Sequence, residues 1–249
     1  MYRDIFPGGA DTASKINVIH RLDLVERVIT LPGLRVLDCG CGAGGYFPEF
    51  IRRGADVHGI EYLPEKVEKY LATGGDPSRI QVGNIDDMPF PDEAFDLVFM
   101  NEVIDHVPDE KKALTEIRRV LKPGGLLVVF APNRFYPFET HSCQLRAWRR
   151  EVSHLTPFIP WIPLALANRF LRFYARNYWP WEVRSLLRST GYEITYRAYA
   201  WQTFENKGGY APTLLQRLST PLRHLSLLLE KIPLLRCFGV SSMTIAKKH

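Results

Sequence analysis

The sequence predicts an α/β protein: a doubly wound, mostly parallel sheet covered by helices. Three observations predict it. Val36-Leu37-Asp38-Cys39 runs into the alternating glycines of Gly40-Cys41-Gly42-Ala43-Gly44-Gly45, and Tyr46-Phe47-Pro48-Glu49-Phe50-Ile51 continues as a helix; strand, glycine turn and helix form the first half of a βαβ unit. Short apolar runs then alternate with amphipathic patterns as far as residue 132, the order of parallel strands joined by crossover helices. Finally, 249 residues, 46% of them hydrophobic, suit one such domain with insertions.

Each element follows in turn. Ile16, Ile19, Leu22, Val25 and Ile29 recur at helical spacing, so residues 14–30 form an amphipathic helix ahead of the first strand. The core of the domain spans residues 34–132. Its second strand, Ala55-Asp56-Val57-His58-Gly59-Ile60, ends at Glu61; a helix over 64–71 has Pro64 in its first turn. Ile80-Gln81-Val82 is a short third strand and residues 95–100 a fourth. Residues 108–121 form a helix with Leu114, Ile117 and Leu121 as its buried stripe. Asp109 and Glu110 suit its start, Arg118, Arg119 and Lys122 its end, and Pro123-Gly124-Gly125 stops it before a fifth strand. Residues 134–179 then turn rich in aromatics, prolines and arginines. A helix follows over 180–188 and a sixth strand over 192–196. A second insertion, 201–239, places Leu214, Leu215, Leu218, Leu222, Leu225, Leu228 and Leu229 on helical faces. Residues 242–247 are the last strand.

The glycine turn carries the chemistry. Glycines let backbone N–H groups approach a ligand where a Cβ would collide, and the helix behind them favours electron-rich groups. Gly40-x-Gly42-x-x-Gly45 matches a dinucleotide fingerprint. Against a dinucleotide stands Asp38, whose carboxylate would repel a pyrophosphate and attract an ammonium group. Glu61 lies 17 residues beyond Gly44 at the carboxyl end of a parallel strand, where a carboxylate accepts two hydrogen bonds from a ribose diol. Residues 36–44 resemble motif I of the class I S-adenosylmethionine-dependent methyltransferases. The Leu121-Lys122-Pro123-Gly124-Gly125 junction resembles theirs as well, so the likeness covers 36–132.

That resemblance implies a Rossmann-like, seven-stranded sheet with its last strand antiparallel beside strand five, and helical insertions after strands five and six. It implies S-adenosylmethionine as cofactor, held by Asp38, Gly40, Cys41, Gly42, Gly44, Glu61 and Tyr62. Asn84, Ile85 and Asp86 lie in the segment that holds adenine in the family; Asn84 replaces the usual Asp, and Asp86 is the reserve. Asn101 and Glu102 border the methyl-donor site, and the N-terminal helix either covers the cleft or only packs on the sheet.

Transfer to a hydroxyl needs a base to take its proton. His141 is the first candidate, His106 the second and His154 the third, with His20 entering from the N-terminal helix. Glu102, Asp105 and His106 have a spacing that converges if helical, resembling the Glu-x-x-Glu-His segment of ubiquinone-pathway O-methyltransferases, but no metal is expected. The Asn-Pro-Pro-aromatic signature of enzymes that methylate adenine or amide nitrogen is absent, so nucleic acid is not expected as a partner. The reading is a methyltransferase, most simply an O-methyltransferase, for a small-molecule or lipid- or glycan-linked acceptor. N- or C-methylation, an NAD-dependent oxidoreductase and a silent cofactor-binding module stay open as alternatives.

The net charge of +5 lies mainly in arginines from Arg146 to Arg188, which suits an anionic substrate or a membrane surface. Residues 158–167 are apolar, flanked by arginines and too short to span a bilayer; they dip into a membrane surface or cap the active site. Cys39, Cys41, Cys143 and Cys237 have no metal or disulfide spacing. With no leader pattern at residues 1–9, a cytoplasmic protein is expected, with peripheral membrane contact open. Oligomeric state is not legible.

Overall fold

The computed structural model describes residues 14–141, 143–153, 156–203 and 218–249. Helix α1 (Lys15–Glu26) opens with Ser14 as cap, its side chain accepting from Asn17 N. The alternating core follows as β1 (Arg35–Cys39), α2 (Phe47–Arg52), β2 (Asp56–Glu61), α3 (Pro64–Ala72), β3 (Ile80–Val82), β4 (Phe95–Asn101), α4 (Glu110–Val120) and β5 (Leu121–Pro132). After the first insertion come α6 (Pro180–Ser189), β9 (Tyr192–Ala200), α7 (Ser219–Lys231) and β10 (Ser241–Lys248).

One seven-stranded sheet runs β3-β2-β1-β4-β5-β10-β9. The first five pair in parallel, and β10 lies antiparallel between β5 and β9. The expected last strand beside strand five is therefore present. Strand order reverses between β1 and β4, so the carboxyl ends of these two strands diverge into a crevice. In β4, Phe95, Leu97, Val98, Phe99 and Met100 are all sealed from solvent, the continuous burial of a strand covered on both faces. Leu37, Val98, Leu114, Ile117 and Leu187 build the core on one face; Leu22, Val36, Phe50, Phe99 and Phe130 build the other.

Two features differ from the sequence expectation. Helix α4 ends at Val120, because Leu121 already pairs with Phe95 in the sheet; Pro123-Gly124-Gly125 lies within β5, at a register irregularity. The first insertion is not purely helical. It holds a second, antiparallel sheet, ordered β7-β6-β8, of β6 (Cys143–Leu145), β7 (Arg150–Glu151) and β8 (Leu171–Phe173), with one short helix, α5 (Leu164–Phe170). Cys143, Ile159, Ala167 and Leu171 give it a small core of its own. In the second insertion, Leu214 and Leu215 lie outside the described residues.

Charge fastens α1 to the sheet. Buried Arg53, just past α2, donates to Glu49 (2.8 Å) and to Asp23 of α1 (2.7 Å), and pairs with Glu26. The four cysteines are free thiols, as expected.

Candidate active site

The glycine turn sits at the mouth of the crevice. Gly40, Gly42 and Gly44 have φ of +70°, +57° and +70°, the left-handed region that favours glycine. A Cβ on Gly40 would strike Val103 and one on Gly44 would strike Tyr70, whereas one on Gly42 would meet open space. Gly42 therefore faces the cradle and the other two glycines hold its shape. Cys41 is buried, and its N–H, like that of Gly40, donates to Ile60 O.

Asp38 lies beside this turn, 2% exposed, and its Oδ2 has no hydrogen-bond partner among the described residues. Burial, with Glu61 adding to it, pushes its carboxyl well above the usual range. A buried acid without a partner is costly unless a cation or donor joins it. Glu61 is folded onto the turn, its Oε2 accepting from Gly42 N at 2.9 Å and its Oε1 from Leu63 N at 3.0 Å. The Tyr46 hydroxyl is also buried and without a partner. Burial raises its pKa; Arg21 opposes this, and Asp38 and Glu102 add to it. An open-space glycine, an orphaned acid and an orphaned phenol thus lie within one short stretch of chain, residues 38–46, with the acid and the phenol electrostatic neighbours. They fit a ligand with an ammonium, such as the methionine end of S-adenosylmethionine.

Arg21 closes the same region from α1. Though 4% exposed, it reaches Asn101 Oδ1 (2.5 Å), Glu102 Oε1 (2.9 Å) and Ser241 Oγ (2.7 Å), and its guanidinium lies over Phe130. Ser241 in turn donates to Glu102, which holds a left-handed φ of +53°. Asn101 and Glu102 are thus at the crevice, with their oxygens engaged by α1. In the loop after β3, Ile85 is buried, Asn84 bridges Asp87, and Asp86 pairs with Lys112 at 3.5 Å. Tyr62 is exposed.

The candidate bases meet one buried acid. Residues Ile104–His106 form a 3-10 turn, so Glu102 does not share a helical face with Asp105 and His106. Instead His141 comes in. Its Nε2 stands 3.6 Å from Asp105 Oδ2, and His106 Nε2 stands 3.3 Å from the same atom. Asp105 is 5% exposed and neither of its oxygens has a hydrogen-bond partner among the described residues. Burial raises its pKa well above the ordinary range, against the pull of His141 and with help from Glu102 and Glu139; burial lowers that of His106, while Glu102 raises it. Glu139 holds the His141 loop, accepting from His141 N (3.0 Å) and Asn177 Nδ2 (2.7 Å). Donor atoms of Asp105, His106 and His141 lie within 4.8 Å of one another, close enough for a proton relay or a single cation. His20 turns away to Glu230 at 2.9 Å, and His154 lies outside the described residues.

Sequence reasoning missed Arg21, Tyr46 and Ser241. Arg21 did leave a signal: it interrupts the buried stripe of Val18, Leu22 and Val25, where a charge needs a partner. Ser241 left none, because β10 reaches the crevice only through sheet pairing.

Comparison with known proteins shows the family and the fold. A family described as a methyltransferase domain matches residues 37–129. A sterol 24-C-methyltransferase of Gibberella zeae is 38% identical over 117 residues, 45% of this chain but 31% of the relative's length. A ubiquinone biosynthesis O-methyltransferase of Xanthomonas oryzae is 34% identical over 195 residues, covering 72% of this chain and 81% of its own. Among solved structures, an S-adenosylmethionine-dependent methyltransferase from Mesorhizobium loti superposes with a TM-score of 0.58 at 17% identity, over 91% of this chain and 96% of that one.

Proposed function

The chain belongs to the class I S-adenosylmethionine-dependent methyltransferases, and from that membership we propose that it methylates an oxygen of a small-molecule acceptor carried at a membrane surface. When bound, S-adenosylmethionine supplies a methyl carbon on a sulfonium, already activated. Asp38 would meet its ammonium, Glu61 its ribose hydroxyls, and Arg21 with Tyr46 its carboxylate. Helix α1 would keep water from the crevice through Arg21.

The approach of His141 to wholly buried Asp105 carries the oxygen reading. With Nε2 facing Asp105, Nδ1, which contacts Thr140 Oγ1 at 3.1 Å, is the nitrogen left to take a proton. The Xanthomonas relative's name as an O-methyltransferase supports the same choice. The test is methyl transfer to a panel of phenolic, alcoholic and amine acceptors with labelled donor. His141→Ala should lower kcat by roughly 10²–10⁴-fold and leave S-adenosylhomocysteine affinity unchanged. Unchanged kcat, or turnover of amines alone, sinks the oxygen reading.

Surface composition supports the membrane part. Phe158, Trp161, Leu164, Leu166 and Phe170 are exposed around the first insertion; the Trp161 ring lies 6.4 Å from that of Phe238, tilted by 35°, and nearby in sequence Leu234 and Leu235 are also exposed. Exposed Arg149, Arg150, Arg169 and Arg172 lie in the same insertion. Apolar tips among cations suit an anionic interface. Ile159, Pro160 and Ala167 are buried, Ile159 and Ala167 in the insertion's own core, so only part of the run is surface. Among the described residues, no helix is long and apolar enough to cross a membrane.

A further inference from the structure

A cavity of about 90 Å³ lies within the first insertion, lined among others by Arg134, Ile162, Leu164, Asn168, Arg176 and Asn177. It is smaller than the roughly 150 Å³ that holds a benzene ring, so it admits a group of a few heavy atoms.

Arg134 is 5% exposed. Its Nε donates to Pro160 O and its Nη2 to Ile162 O, each at 2.6 Å, and Trp179 lies 5.2 Å from its guanidinium. Among the described residues, Nη1 donates to nothing and no carboxylate comes within ion-pair distance of this side chain. The neighbouring charges are used elsewhere: Arg176 bonds Glu110 and Glu182, and the other oxygen of Glu182 accepts from Trp179 N. Burial pulls the Arg134 pKa down, with Glu182 raising it and Arg176 lowering it. A largely buried guanidinium without an ionic partner is expensive. Clamping two carbonyls needs only Nε and Nη2, so Nη1 keeps accessible surface and no protein partner among the described residues, on a residue that lines the cavity.

We propose that this cavity is an oxyanion subsite that takes a phosphate or carboxylate group of the methyl acceptor, with Arg134 Nη1 and the Asn168 amide as donors. Its link to the chemistry is short. Asn177 bonds Glu139, and Glu139 holds the backbone of His141, so a group seated here lies next to the loop of the candidate base. This assignment of the acceptor rests on the methyltransferase reading; the anion site itself does not.

The test follows Arg134 Nε–H and the Asn168 and Asn177 side-chain amides by NMR in the full chain, titrated with inorganic phosphate and, separately, with acetate. Saturable shifts at these groups are expected with at least one of the two. Asn168→Asp places a negative charge at the site without touching the Arg134 clamp, and should weaken that anion at least tenfold while leaving S-adenosylhomocysteine affinity unchanged. Sedimentation with phosphatidic acid vesicles separates the sources. A lipid headgroup predicts vesicle binding reduced by Asn168→Asp and by free phosphate; a soluble acceptor predicts vesicle binding indifferent to both. Absence of saturable shifts with both probes, or equal affinity in Asn168→Asp, overturns the proposal. Failure of S-adenosylhomocysteine to bind the same sample would instead strike the methyltransferase reading and leave the anion result standing.

Discussion

Gly42 donates its backbone N–H to the Glu61 carboxylate at 2.9 Å, across 19 residues of chain. The glycine turn and Glu61, the proposed ribose acid, are therefore in contact, and each carboxylate oxygen keeps a further lone pair with which to accept from a diol. Glu61→Ala should weaken S-adenosylhomocysteine binding by about 2 kcal/mol, close to 30-fold, by calorimetry. Gly42→Val should abolish it, since a β-branched residue resists φ of +57°. NAD should give no heat; measurable NAD binding without S-adenosylhomocysteine binding would contradict the site as drawn.

Arg21→Ala should be among the most destabilising single changes. It strips the guanidinium from Asn101, Glu102 and Ser241 at once and leaves Glu102 without its counter-ion. Removing one partner of a buried pair costs about 3–5 kcal/mol, to be read from urea unfolding. Arg21→Met combined with Glu102→Gln should recover part of that loss, because no uncompensated charge then remains.

Acid should loosen α1. The guanidiniums of Arg52 and Arg53 hold Glu49 down to a pKa of about 2 against an ordinary 4.5, although burial opposes them. A lowered carboxylate pKa adds stability that is present above the ordinary value and lost as pH falls through the lowered one. Thermal midpoints should therefore drop between pH 4.5 and 2, with a shallower slope in Glu49→Gln. Identical slopes would show that this cluster does not govern the acid limb.

Magnesium should not be needed. Asp105, His106 and His141 offer one carboxylate and two imidazoles, whereas magnesium prefers oxygen donors, and Glu102 is held by Arg21. Methyl transfer should proceed unchanged with a chelator. Loss of activity that magnesium alone restores would reassign these three side chains.

Binding to anionic vesicles should fall with salt, because exposed arginines are screened, and with Leu166→Glu, which puts a charge on an exposed position of α5. Circular dichroism of that variant should match the parent. Sedimentation equal for neutral and anionic vesicles, or none at all, would leave the apolar tips to another role.

The strand, glycine turn and helix at 36–51, the order of elements to residue 132 and the placement of Asp38 and Glu61 at the carboxyl ends of neighbouring strands were legible in the sequence, because each rests on local rules. Apolar periodicity sets the elements, glycine alone tolerates the turn, and a carboxylate at the end of a parallel strand marks the ligand edge. Other features were decided only by the fold. Arg21 finds partners 80 and 220 residues away, Asp105 receives His141 in place of Glu102, and Arg134 is buried against the carbonyls of Pro160 and Ile162. The three short strands of the insertion are two or three residues long, too short to show a period. In each case the deciding energy is that of burying a charge or pairing an edge against a distant segment, and no local pattern records which segment that will be.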